Sequence, residues 1–61
     1  MTKNIYVRDF AFGFEVFNNR QVVYRADNST DANNYAIALG KNEKKNVYYD
    51  GDWKETLYKA N

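Results

Sequence analysis

The residues that could do chemistry in this chain are carboxylates, amines and phenols. Neither His nor Cys occurs. General acid–base work and covalent catalysis would therefore fall to Asp, Glu, Lys and Tyr. The closest pair of acids brackets a glycine, Asp50-Gly51-Asp52. Two carboxylates act as acid and base only when they share a cleft. In a tight turn they point apart or into solvent, and Asp-Gly between strand-like runs is a strong hairpin signal. The turn accounts for Asp50 without catalysis. Asp-Gly-Asp also lacks the further ligands of a calcium loop. The three glycines, Gly13, Gly40 and Gly51, are isolated and build no phosphate-cradling loop. Without thiolates or imidazoles, an ordinary zinc site has no donors. The expectation is a non-enzyme with no catalytic residue, no metal and no cofactor.

Binding is the better use of this composition. Six Tyr, four Phe and one Trp stand out in 61 residues. Basic residues recur beside rings: Arg8 near Tyr6, Arg25 after Tyr24, Lys54 after Trp53, Lys59 after Tyr58. Single-stranded nucleic acid binds by ring stacking in a positive groove, so this interleaving fits it. The net charge of +1 does not, being far from a basic footprint. Interface centres between proteins are rich in Tyr, Trp, Phe and Arg. Phe17, Arg20, Arg25, Tyr49, Trp53, Lys54 and Tyr58 are the candidate partner-binding residues. Phe10 and Val23 join Phe17, Tyr49 and Tyr58 as expected exposed apolar positions.

These side chains need elements to hold them. Ile5 to Arg8 is β-branched and aromatic, as a strand would be. Phe12 to Phe17 alternates, Asn18-Asn19 interrupts, and Gln21 to Arg25 returns. A three-residue loop over Asn18 to Arg20 would pair Phe17 with Gln21 and Phe14 with Tyr24. That register gathers Phe12, Phe14, Val16, Val22, Tyr24 and Ala26 on one face, and a buried face specifies register. Asp27 to Asp31 is a cluster of capping residues. Ala32, Tyr35, Ala36 and Leu39 follow at helical spacing, which predicts a helix over Ser29 to Leu39. Gly40 is expected as its left-handed stop. Lys41 to Asn46 reads as a polar loop. Val47 to Tyr49 and Asp52 to Tyr58 flank the Asp50-Gly51 turn, which would set Tyr48 opposite Trp53.

The expected fold is a single α+β domain over residues 1–61. Its small antiparallel sheet follows the order β-β-β-α-β-β, with one helix packed on one face. A domain of this size is marginal alone, and staples of sulfur or metal are absent. Self-association as a homodimer, or a protein partner, would supply the missing burial. No apolar run approaches the length of a membrane span, and no basic-then-apolar leader opens the chain. A cytoplasmic, membrane-free location is expected. Nine Asn, together with many Lys, Tyr and Phe, suggest an AT-rich genome. In genre alone the chain looks like short cysteine-free proteins of phages and mobile elements. Many of those occlude host machinery, anti-CRISPR proteins among them. The leading expectation is thus a protein-binding inhibitor. The alternative is a nucleic-acid-binding protein using Tyr and Lys on the sheet.

Overall fold

A computed structural model describes residues 4–51 and 53–60. Five strands and one helix follow in the order β1 (Ile5–Phe10), β2 (Gly13–Asn18), β3 (Gln21–Ala26), α1 (Ser29–Glu43), β4 (Val47–Asp50) and β5 (Lys54–Tyr58). All five strands form one sheet in the spatial order β3-β2-β1-β4-β5. The α+β reading holds, with one addition. β1 and β4 run parallel, while every other pair is antiparallel. The helix imposes this. It returns the chain to the end of the sheet where β1 begins, so β4 starts beside Ile5.

The helix lies on one sheet face, as the alanine spacing predicts. Ile5, Val7, Val16, Val47, Ala32 and Ala36 are fully buried between them. Asn28 caps the helix, its side chain accepting from the Asp31 N–H at 2.8 Å. Asp31 stands in the first turn, where the helix dipole favours a negative charge. Tyr35 is not a core residue. It is 38% exposed and stacks on Tyr24 of edge strand β3, ring centroids 4.1 Å apart. Among the described residues no helix is long and apolar enough to cross a membrane.

The helix runs past Gly40, so Gly40 is not its stop. Residues 41–43 belong to α1, and the left-handed cap is Lys44, at φ 57. Gly40 is instead buried where the helix meets the sheet. A Cβ there would collide with the Val47 side chain and sit 3.0 Å from the Lys45 carbonyl oxygen. Close approach, not backbone handedness, selects this glycine. Gly13 is the converse case. Its φ of +145 disfavours any side chain, and a Cβ would strike the Ala26 carbonyl.

Both hairpin registers differ from expectation. The first turn is two residues, Asn19-Arg20, with φ of 55 and 65. Two left-handed residues in succession make the turn that suits strand twist. Asn18 therefore stays in β2, opposite Gln21, and Phe17 faces Val22. A bulge beside Val16/Phe17 then resets the ladder, pairing Val16 with Tyr24 and Phe14 with Ala26. The bulge restores the expected parity, so Phe14, Val16, Tyr24 and Ala26 still share the covered face. Val22 and Phe12 leave it. Val22 is 39% exposed, and Phe12, in the β1–β2 turn, is 85% exposed. In the second hairpin Asp50 pairs with Lys54 and Tyr48 with Thr56. Trp53 is therefore in the turn, not opposite Tyr48. Asp52 lies outside the described residues.

Candidate functional site

Strand alternation divides β1 cleanly. Ile5 and Val7 point to the helix, so Tyr6, Arg8 and Phe10 point away from it. The registers carry that division across the sheet. No element among the described residues covers the far face, and two rungs of side chains cross it.

The first rung is ionic and spans all five strands: Arg25, Glu15, Arg8, Asp50, Lys54. Its signs alternate. Arg25 Nε donates to Glu15 at 2.9 Å, and Arg8 meets Asp50 at 3.4 Å. Lys54 also contacts the Asp50 carboxylate. The Lys54 hydrogen bond, with the charges of Lys54 and Arg8, holds the Asp50 carboxyl below its usual range. Both arginines also lie over rings: Arg8 is 5.3 Å from the Phe17 centroid and Arg25 is 5.8 Å from that of Phe10.

The second rung is aromatic. Phe17, Tyr6 and Tyr48 are neighbours on β2, β1 and β4, flanked by Val22 and Thr56. Tyr6 and Tyr48 lie 5.9 Å apart, tilted by 31°. All three rings are half-buried, Phe17 with the Arg8 guanidinium over it. Beside Tyr6 and Tyr48 the sheet forms a shallow depression of about 520 Å³, bordered also by Asn4, Lys54 and Thr56.

The seven candidate residues do not form one site. Phe17, Arg25 and Lys54 share the uncovered face. Arg20 stands at the β2–β3 turn, exposed. Trp53 is 54% exposed at the opposite end of the molecule, its ring 4.5 Å from Tyr49 and its Nε1 donating to Glu55. Tyr49 is not an exposed anchor. It is 3% exposed in the core, paired in register with Val7. Tyr58 is also on the helix side, half-buried against the core with Lys41 5.9 Å from its ring centroid. Phe10 is half-buried as well. Tyr6, Tyr48 and Arg8 lie in the site but outside the candidate partner-binding set, although sequence reasoning noted Tyr6 with Arg8, and Tyr48 with Lys44 and Lys45, as rings beside cations. The Ile5/Val7 alternation contained the signal for Tyr6 and Arg8. Tyr48 needed the β1–β4 register, which no local pattern supplies.

The chain matches no family model, no curated protein and no solved structure.

Proposed function

We propose that this protein is a non-catalytic binding module that occludes a protein partner with the uncovered face of its sheet. One observation carries the reading: α1 seals one face, while the other presents the Phe17–Tyr6–Tyr48 rung beside a rung of alternating charge. Half-buried rings held by a rigid sheet are good anchors, because little side-chain entropy remains to be lost on binding. The flanking charges are already paired, at Glu15–Arg25 and at Asp50 with Arg8 and Lys54. A face with three cations against two carboxylates suits the mixed surface of a protein better than a polyphosphate. An occluding inhibitor of the mobile-element type would need no more chemistry than this.

The test is capture from nuclease-treated host lysate, with wild type and variants compared side by side. Tyr48→Ala and Phe17→Ala should release the captured protein, while Trp53→Ala, at the far turn, should retain it. Retention in raised salt is expected, since ring burial is not screened by ions. Capture that survives Tyr48→Ala and Phe17→Ala but fails in raised salt would sink the proposal.

A further inference from the structure

The near-neutral total conceals a separation of charge along the strands. α1, β2 and β5 all run toward one end of the molecule, and β3 and β4 leave from it. Gathered there are Arg20 of the β2–β3 turn, Lys41, Lys44 and Lys45 of the helix terminus, and Lys59 after β5. The single described carboxylate at that end is Glu43, which Lys45 holds at 3.1 Å. Asp9, Asp27, Asp31 and Asp50 lie toward the opposite end. Contacts tie the basic elements into one surface. Lys45 Nζ donates to Asn18 at 2.8 Å and to Asn19 at 3.4 Å, and Lys41 lies over Tyr58. Arg20, Lys44 and Lys59 are exposed and make no ion pair among the described residues.

We infer that this basic end is a second binding site, and that its ligand is the phosphate backbone of duplex nucleic acid. The choice of ligand follows from what the surface lacks. An acidic protein would gain little from exposed ion pairs alone, each worth about 0–1 kcal/mol, and the strand rings one residue from this end, Phe17, Tyr6 and Tyr48, project from the sheet face rather than among the helix-terminal lysines. Tyr58, the ring nearest the lysines, is half-buried beneath Lys41, so stacking of single-stranded bases has no platform here. Cations without anchors gain affinity where the target carries condensed counterions to release, and a duplex backbone does. The site adjoins the ring-bearing sheet face, since Phe17 is followed by Asn18 and the Asn19-Arg20 turn. A protein partner that itself holds nucleic acid would engage both.

Two of the cations can be removed without harm to the fold. Arg20 and Lys44 both have left-handed backbones, at φ 65 and 57, which glycine adopts freely. The experiment is fluorescence anisotropy of a labelled random-sequence DNA duplex with the full chain, titrated across salt concentrations. Wild type should bind with a log–log salt slope of about −3 to −4, the signature of about four phosphate contacts. Arg20→Gly/Lys44→Gly should stay folded, bind on the order of a hundredfold more weakly at about 0.1 M salt, and lose about two units of that slope. Poly-glutamate at equal charge should compete poorly. Equal binding by the double variant overturns the inference, as does efficient competition by poly-glutamate. Loss of duplex binding in Tyr48→Ala would also overturn it, by moving the contact to the sheet face. The first two outcomes leave protein capture untouched, and the third is told apart from it by capture from nuclease-treated lysate, so the two readings fail separately.

Discussion

Gly40 of α1 rests directly on Val47 of β4, and the gap between them admits no methyl group. This contact sets how near the helix terminus comes to the sheet, and Lys45 beyond it reaches Asn19 of the Asn19-Arg20 turn.

Gly40→Ala should therefore destabilise the protein. Alanine is the better helix former by about 1 kcal/mol, so propensity alone argues the other way. Overpacking a tight contact costs about 1–3 kcal/mol, and here it should win. Thermal melts of Gly40→Ala, Val47→Ala and the double variant test this. The double variant should be more stable than the sum of the single losses implies, because smaller Val47 makes room for the methyl. A Gly40→Ala protein that melts at or above wild type would show that the helix can ride higher at no cost.

Arg20 sits in a left-handed conformation that favours glycine. Arg20→Gly converts the turn to Asn-Gly, the preferred pair for this geometry. Stability should hold or rise by up to about 1 kcal/mol, since the strain relieved is partly offset by the greater freedom of unfolded glycine. Arg20→Val should lose stability, because a β-branched residue tolerates this backbone least. Urea denaturation of both variants decides the matter. Equal midpoints would argue against a turn at Asn19-Arg20.

The reach of sequence reasoning follows the range of the interactions involved. The helix start was legible, since Asn28 capping and the Ala32/Ala36 spacing are local. The helix end was not, because Gly40 looks like a stop unless its contact with Val47 is known. The covered face of the first hairpin was legible in parity, as burial of Phe14, Val16 and Ala26 demands. Its register was not, because the hold of Glu43 and Lys45 on Asn18 is remote in sequence and keeps Asn18 in the strand. The candidate site fared worst. Phe17, Arg25 and Lys54 were found by residue type and Tyr6 lay in a local alternation, while Tyr48 joins them only through a parallel pairing between β1 and β4.

Acid and alkali should act at different places. The hydrogen bonds of Asn18 and Lys45 hold the Glu43 carboxyl below its usual range, and Lys54 and Arg8 do the same to Asp50. A lowered carboxyl pKa adds stability above the unfolded value and loses it as pH falls through the folded one. Melting temperature should thus decline below about pH 4–5, where unfolded carboxylates begin to take up protons. Glu43→Gln should flatten part of that decline. The Tyr24 hydroxyl is raised instead, chiefly by its hydrogen bond to Asp31 at 3.0 Å. A raised pKa reverses the sign, so this contribution is present below about pH 10 and lost above it. Tyr24→Phe should remove the alkaline dependence alone. A melting profile unchanged in Glu43→Gln on the acid side and in Tyr24→Phe on the alkaline side would contradict both assignments.

Tyr48 and Tyr49 are adjacent in sequence and opposite in consequence. Tyr49 is 3% exposed, with Val7 as its neighbour in register and Trp53 against its ring. Truncating a buried aromatic costs about 3–5 kcal/mol. A small domain has about that much stability in total, so Tyr49→Ala should unfold much of the population at room temperature. Tyr48 projects from the other face, between Tyr6 and Thr56. Tyr48→Ala removes a ring contact but opens no cavity, and should cost about 1 kcal/mol. Its effect on partner capture should be large, in the range of about 2 kcal/mol or more for an interface anchor. Circular dichroism and capture measured on the same samples separate the two effects. A folded Tyr48→Ala that captures as well as wild type would remove the aromatic rung from the binding surface. A stable Tyr49→Ala that has lost capture would place that surface on the helix side of the sheet.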